Sequence, residues 1–329
     1  MPRRPAAAVL ATALIALSAS AGAAAASPDL SSTQHASATI GGPLIESNGL
    51  IVDAGPDAPS LPPDSQLPAA SWLVAKLTTG QVLAATAPPE PFLQARPLQL
   101  LTAATLIPRL NPDAMFPVSY HEAVVDGTKA GLTVGMHYKI STLFQCMLEM
   151  SANDAAEALA DAYGGDKETL RAMNAEAQVL QANETHADTP SGLDGPGETT
   201  SAYDLALIAQ ADFGIPDFRH YITQVSSNIP APHHKHFQIQ THNDLLTTDR
   251  GDIGGKNGYT VAAQATYVGA ATRHGQTIVV SLMHAYPIWA PMAAKLLNWG
   301  FKANGKVIPV GELVQPIQPA PLPIAHAAA

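Results

Sequence analysis

Two short stretches decide the interpretation of this chain: Met150-Ser151-Ala152-Asn153-Asp154 and Gly254-Gly255-Lys256-Asn257-Gly258-Tyr259-Thr260. The first lies between two segments with helical periodicity, residues 141–149 and 155–163. The second precedes two strand-like segments that are joined by a His274-Gly275 turn. Polar side chains capable of chemistry therefore stand at the end of a helical block and at the start of a hairpin.

The segments around these stretches predict a mixed α/β domain. Alternating apolar residues predict one hairpin over residues 71–85 and another over residues 263–283. Apolar residues at helical spacing predict helices over residues 98–110, 141–149, 155–163, 167–181, 201–211 and 288–299. The order hairpin, helical block, hairpin, helix implies helices packed on an antiparallel sheet whose strands come from both ends of the chain.

The two ends of the chain differ from its middle in composition. Residues 1–26 combine an arginine-containing start, a short apolar run and small residues, which predicts a secretory signal peptide, with an uncleaved anchor as the alternative. Residues 27–66 are predicted to be a disordered Pro/Ser-rich leader, and residues 306–329 a Pro/Ala-rich tail. Residues 67–305 are then one folded domain. We expect the protein to be exported to the periplasm, cell wall or medium, with no strong membrane anchor after signal cleavage.

Composition excludes several classes of function. A formal net charge of -10 gives no electrostatic footprint for nucleic acid. The single cysteine, Cys146, allows no intrachain disulfide, and its apolar neighbours favour a buried structural thiol. His233, His234, His236 and His242 suggest metal binding, but the segment is rich in proline and has no companion acids, which favours a solvated loop. No metal site and no cofactor are predicted.

The two stretches, in this order and with their flanking text, resemble the D-alanyl-D-alanine carboxypeptidases. These are low-molecular-mass penicillin-binding proteins of the serine peptidase S11 type, and the likeness is strongest to compact actinobacterial members. Residues 189–197 and 200–209 also look like family segments. The resemblance covers roughly residues 68–303 and implies the penicillin-binding protein or β-lactamase-like transpeptidase fold, with a helical subdomain. Its motifs are S-x-x-K, S-x-N and K-T-G, in that order.

Carried over residue by residue, the resemblance assigns roles to the two stretches. Ser151 and Asn153 match S-x-N, which implies that the serine assists proton transfer and the asparagine holds the substrate amide. Lys256 and Gly258 match K-T-G, while Asn257 replaces the threonine. The resemblance also implies that this strand binds the substrate backbone and carboxylate through Asn257, Gly258, Tyr259 and Thr260.

The S-x-x-K motif is missing from the chain. The segment from Leu101 to Leu110 resembles the family text that follows the catalytic lysine, which sets Arg96 at the serine position and Gln99 at the lysine position. No serine, threonine or cysteine stands three residues before any lysine of the chain, so no other register supplies the motif. An arginine is no nucleophile, and a glutamine is no general base near neutral pH. We therefore predict a catalytically impaired protein.

Three functions stay open at this point. The protein could bind peptidoglycan stem peptides ending in D-Ala-D-Ala, or a wall-synthesis protein, without catalysis. It could be an active carboxypeptidase that uses another nucleophile, such as Ser151 with Lys256 as the base. It could also be a paralogue with no role at the wall. The Arg96 guanidinium is expected either to hydrogen-bond Ser151 and Asn153, to clamp a peptide carboxylate, or to point into solvent.

Overall fold

Strands from both ends of the chain form a seven-stranded antiparallel sheet, as the sequence predicts. The computed structural model describes residues 40–286 and 288–317, so the predicted signal peptide over residues 1–26 lies outside the described residues. The strands are β1 Leu50–Ile51, β2 Asp53–Ala54, β3 Ala69–Lys76, β4 Gln81–Thr86, β5 Met115–Pro117, β6 His137–Lys139, β7 Ser226–Ala231, β8 Lys235–Gln240, β9 Asp252–Thr260, β10 Gln264–Arg273, β11 Gln276–Ala285, β12 Val307–Ile308 and β13 Gly311–Glu312.

The sheet has the strand order β1-β4-β3-β11-β10-β9, with β13 paired to β4. Strands β3 and β4 come from the first predicted hairpin, and β10 and β11 from the second. The pairing of β3 with β11 joins the two hairpins, for example Val74 opposite Val280. Strand β9 carries Lys256 and ends the sheet, because β10 is its one neighbour in this order.

Most helices form one block between the two hairpins, and a last helix follows the second hairpin, in the predicted order. Two are short 3-10 helices, η1 Asp64–Gln66 and η2 Arg96–Leu98. The others are α1 Gln99–Leu106, α2 Tyr120–Ala123, α3 Ile140–Met150, α4 Asn153–Tyr163, α5 Asp166–Val179, α6 Ala202–Gly214, α7 Pro216–Ile222, α8 Leu245–Thr248 and α9 Ala290–Ala303. Ser201 is the N-cap of α6, and its hydroxyl accepts a hydrogen bond from the Asp204 amide at 3.0 Å.

The sheet separates two hydrophobic cores, because successive side chains of a strand point to opposite faces. Leu73 and Val279 belong to the core that the helical block covers. Val74 and Val280 belong to the other core, which α9 covers with side chains such as Leu296. The chain thus forms three layers: the helical block, the sheet and α9.

The structure differs from the prediction at both ends of the domain. The leader was predicted to be disordered over residues 27–66, yet within its described part Ile45 is buried and β1 pairs with β4. The Pro/Ala-rich tail was predicted to begin at residue 306, yet β13 pairs with β4 and Leu313 is buried. Isolated apolar residues are buried against the sheet edge here. They are too few to produce a helical or strand periodicity in the sequence, so no element is predicted for them.

A further difference concerns the segment predicted as a Pro-rich loop. It is the turn of a hairpin, formed by β7 and β8, in which His233 and His234 have positive φ angles of 61° and 56°. The sequence does not predict this hairpin because Pro230 and Pro232 argue against a strand there. Across the described part of the chain, no helix has the length and apolarity needed to cross a membrane.

Candidate functional site

Ser151 and Asn153 are held at the junction of two buried helices. Helix α3 ends at Met150, and Ser151 adopts the left-handed conformation, with φ 61°, that ends the helix. Helix α4 begins two residues later, and the Asn153 side-chain amide donates to the Asp126 carbonyl at 2.7 Å. Both side chains are nearly inaccessible, with 1% exposure for Ser151 and 0% for Asn153. The junction therefore fixes the two polar groups in place.

Lys256 on β9 reaches the same junction from the sheet. It is 1% exposed, and its ammonium donates to the Ser151 hydroxyl and to the Asn257 carbonyl, the latter at 3.0 Å. Burial, and then the positive charge of Arg96, lower the pKa of Lys256 to about 7. A substantial fraction of this side chain is therefore neutral near pH 7.

Ser151, Asn153 and Lys256 form one wall of a groove. Residues 96–99, on η2 and the start of α1, form the opposite wall. Their backbone packs directly against β9: a Cβ on Gly258 would lie 2.7 Å from both Arg96 N and Pro97 Cδ. That approach is too close for any side chain larger than hydrogen, so Gly258 is required for the contact.

The Gln99 side chain is buried and fixed. Its amide nitrogen donates to the Ser191 carbonyl at 3.0 Å, while its oxygen accepts no hydrogen bond from any described residue. Ser191 lies in the loop that follows α5, and this loop also contacts η2, since a Cβ on Gly192 would lie 2.6 Å from the Ala95 carbonyl. At the position that the resemblance gives to a lysine, the structure therefore has a neutral amide engaged with a loop backbone.

The Arg96 side chain extends across the groove and not away from it. A Cβ on Gly127 would lie 3.7 Å from Arg96 Nη2 and 2.6 Å from Asn153 Nδ2, so the guanidinium and this amide border the same space. The expected hydrogen bonds from Arg96 to Ser151 and Asn153 are not formed. Within the described ranges Ser151 pairs with Lys256 and Asn153 with the Asp126 carbonyl instead.

Three basic side chains meet at this groove without a carboxylate partner. Arg96 is half-buried, Lys256 is buried and His242 lies at the exposed rim. Partial loss of solvent, and then the charges of Lys256 and Arg96, lower the pKa of His242. The ion pairs between described residues include none of the three. The groove is thus a basic site in an acidic protein, suited to an anion.

The predicted substrate-binding residues line the end of β9. Asn257 lies opposite Tyr267 and accepts from Lys256 through its carbonyl. Tyr259 is exposed, and the Thr260 hydroxyl donates to Asp194 at 3.0 Å. Strand β9 is therefore tied to the same loop that contacts Gln99.

Sequence reasoning missed two parts of the groove. His242 was considered only as a metal ligand, and the Asp126–Gly127 loop carried no motif. Neither has a local sequence signal, because both reach the groove through the tertiary fold. Among the described residues, one group of side chains could hold a metal ion: His121, Glu157 and Asp166, whose ligand atoms lie within 4.8 Å of one another. The histidines at residues 233, 234, 236 and 242 are not part of it. Exposed acidic groups often cluster in this way without a metal.

A sheet covered by helices on both faces, with a groove between a helix junction and an edge strand, defines the penicillin-binding protein class of fold. The family model described as D-alanyl-D-alanine carboxypeptidase, peptidase S11, matches residues 57–286. This chain belongs to that family.

Individual relatives agree with this assignment. The chain is 36% identical over 244 residues to D-alanyl-D-alanine carboxypeptidase DacB2 of Mycobacterium tuberculosis, covering 72% of this chain and 84% of the relative. A crystal structure of a D-alanyl-D-alanine carboxypeptidase from that organism superposes with a TM-score of 0.74 at 34% identity, covering 79% of this chain and 99% of that one. The Streptomyces K15 DD-transpeptidase structure shares the fold, with a TM-score of 0.68 at 24% identity over 74% of this chain and 98% of that one.

Proposed function

We propose that this protein is a catalytically impaired member of its family that binds peptidoglycan stem peptides in the groove. The observation that carries the proposal is the wall opposite Lys256, where Arg96 and Gln99 stand in place of a nucleophile and a base. Stem peptides are favoured over a wall-synthesis protein because the retained polar groups match the family's substrate-binding motifs and are buried, not spread over an open face. This proposal includes export to the cell wall, supported by the signal-like residues 1–26.

The loss of the reacting pair has a large expected cost. Removing the nucleophile from a triad-type site lowers turnover by about 10⁶-fold, and only binding effects remain. Gln99 has no proton to take or give near neutral pH, and its amide already pairs with the Ser191 carbonyl. Arg96 keeps its charge and carries no nucleophilic electron pair.

The retained half of the groove supports peptide binding. Strand β9 ends the sheet, so its outer backbone edge can pair with an extended peptide, as in other strand-addition complexes. Lys256 and Asn153 stand beside this edge, in the places that the family uses for substrate. Asn257 offers an amide in place of a threonine hydroxyl, which keeps both hydrogen-bond donation and acceptance.

One observation favours a second candidate, an active carboxypeptidase with Ser151 as nucleophile. Lys256 contacts the Ser151 hydroxyl, and its pKa of about 7 would let neutral Lys256 take the hydroxyl proton. The serine oxygen would then bond to the carbonyl carbon, and the departing D-Ala amine would receive that proton. The 1% exposure of Ser151 opposes this route, because a substrate carbonyl must reach its oxygen.

Release of D-Ala from an acyl-D-Ala-D-Ala peptide separates the two candidates. We expect no release above background by the wild-type protein, together with measurable binding of stem peptides by calorimetry. Release that Ser151→Ala abolishes would establish the second candidate. Absence of both release and binding would overturn the proposed function.

A further inference from the structure

The basic groups of the groove differ in their access to solvent. Lys256 is buried and already donates to Ser151 and to the Asn257 carbonyl, which leaves it little capacity for a ligand. Arg96 is half-buried and donates to no carboxylate among residues 40–286 and 288–317. An anion that enters from solvent therefore meets the Arg96 guanidinium first.

The Asn153 side chain lies near this cation. The Asn153 side chain is 0% exposed, and its oxygen accepts no hydrogen bond from a described residue. Its amide borders the same space beside Gly127 as the guanidinium. A buried acceptor without a partner costs free energy unless a ligand supplies a donor. The Asn153 atom that borders this space is the amide nitrogen, which already donates to the Asp126 carbonyl at 2.7 Å, so the guanidinium is the group left to bind an anion.

A peptide that ends at this point supplies the group that complements the guanidinium. Its last residue carries an N–H donor and a carboxylate, and a carboxylate can accept two parallel hydrogen bonds from a guanidinium. In a longer peptide the carbonyl at the same position belongs to a neutral amide, which offers one weaker acceptor. Cleavage of a D-Ala-D-Ala bond converts the second kind of peptide into the first.

We propose that Arg96 makes this groove selective for trimmed stem peptides, whose carboxylate was exposed by loss of the terminal D-Ala. The inference rests on the proposed function, since it names the ligand of the same groove. Arg96 acts here as a specificity-determining residue: it pairs with the carboxylate that a carboxypeptidase reaction leaves behind. The protein would then distinguish processed wall from unprocessed wall.

Calorimetry with three probes tests the selectivity: acyl-D-Ala-D-Ala, the same peptide without its last D-Ala, and that shorter peptide as its C-terminal amide. The wild-type protein should bind the shorter acid about 10- to 100-fold more tightly than its amide, as expected for hydrogen bonds to a charged group. It should also prefer the shorter acid over acyl-D-Ala-D-Ala. The acid and amide comparison needs no variant, so it holds even if a substitution impairs folding.

The Arg96→Ala variant locates the effect. It should lose most of the preference for acid over amide, while Arg96→Lys should retain part of it, because an ammonium gives no bidentate pair. Arg171→Ala is the matched control, since Arg171 forms an exposed pair with Glu168 on α5. That control should leave all three affinities unchanged.

The outcomes separate the two proposals. If acid, amide and longer peptide bind equally well and Arg96→Ala changes none of them, the selectivity is wrong while stem-peptide binding stands. If no probe binds the wild-type protein, both proposals are overturned. If the acid preference is present and persists in Arg96→Ala, another group selects the carboxylate and the role of Arg96 is refuted.

Discussion

The two walls of the groove pack against each other through their backbones, but they differ in how well their side chains match the family motifs. On the wall formed by α4 and β9, Ser151, Asn153 and Lys256 match the family motifs and contact one another or nearby carbonyls. On the wall formed by η2 and α1, Arg96 and Gln99 stand at the positions that the resemblance gives to the reacting serine and lysine. The comparison teaches that one wall of a groove can keep the side chains of the family motifs while the wall packed against it carries different ones.

Glycine contacts explain why the shape is kept. Gly258 brings β9 against the backbone of residues 96–97, and Gly192 brings the loop after α5 against Ala95. These contacts depend on the main chain and not on the side chains at residues 96 and 99. The backbone of the wall formed by η2 and α1 is therefore positioned by its contacts with β9 and with the loop after α5.

Restoring the missing pair should give the largest effect. The double variant Arg96→Ser with Gln99→Lys returns S-x-x-K to a wall whose backbone is already positioned, so we expect labelling by a fluorescent penicillin. The gain in reactivity should approach the roughly 10⁶-fold loss seen when a nucleophile is removed. Each single variant is the control and should stay unlabelled, because neither completes the pair. A double variant that folds but remains unlabelled would show that the retained wall has also lost its function.

Replacing Lys256 should reveal the free-energy cost of burying its charge on the retained wall. Burial lowers the pKa of Lys256 to about 7, so between pH 7 and its ordinary pKa of 10.5 the unfolded chain binds more protons than the folded one. The stability contribution of the lysine is therefore least below pH 7 and rises as pH increases. Between pH 8 and pH 10 the wild-type protein should gain about 2 kcal/mol in unfolding free energy relative to Lys256→Met.

Urea unfolding at several pH values measures this difference. Lys302→Met, on the surface-facing part of α9, serves as the matched control and should follow the wild-type curve. Parallel curves for Lys256→Met and wild type would mean that Lys256 is not desolvated, which would weaken the contrast between the walls.

The loop that joins the walls should show an effect of opposite sign. Burial raises the pKa of Glu198 to about 8, with added repulsion from Asp188 and Asp194 and an opposing hydrogen bond from Thr189. Because folding raises the pKa of Glu198, its contribution to the unfolding free energy is fully present below the pKa of the unfolded chain. That contribution is lost as pH rises toward 8. Glu198→Gln should therefore be similar to wild type in unfolding free energy at pH 4 and more stable than wild type at pH 8.

Thermal unfolding at the two pH values checks this expectation. The exposed Glu46→Gln is the comparison variant and should show no such difference. A Glu198→Gln variant that is less stable at both pH values would indicate that the loop needs the carboxylate.

The smallest effect is expected at Asn257, the one departure from the motifs on the retained wall. Asn257→Thr restores the family residue, improves β-propensity and keeps a hydrogen-bonding side chain, so peptide affinity and stability should each change by less than about 0.5 kcal/mol. Calorimetry with the shorter acid measures the affinity. A large gain in binding would place the defect of the groove on both walls and remove the contrast between them.

Sequence patterns predicted the parts of the fold that repeat along the chain. The hairpins containing β3, β4, β10 and β11 are apolar runs joined by turn residues, and α3 to α6 show helical spacing, so these elements could be predicted. The motif order also placed Ser151 and Lys256 together, and the structure brings them into contact. Local periodicity and a shared motif were sufficient for these features.

Other features depend on single long-range contacts and were not predictable. Ile45 and Leu313 seal the sheet edge as isolated residues, which composition presents as leader and tail. The direction of the Arg96 side chain depends on the space beside Gly127, and no pattern encodes it. His242 joins the basic cluster only because the chain before β9 returns to the end of α3, where its amide bonds to the Glu149 carbonyl at 3.0 Å.

Intact-protein mass spectrometry after incubation with a β-lactam tests the central claim most directly. The wild-type protein should keep its unmodified mass, because neither Arg96 nor Gln99 can form an acyl-enzyme and Ser151 is buried. The Arg96→Ser, Gln99→Lys protein supplies the positive signal on the same scaffold. A stoichiometric adduct on the wild-type protein, lost in Ser151→Ala, would contradict the account and show that the reaction has moved to the retained wall.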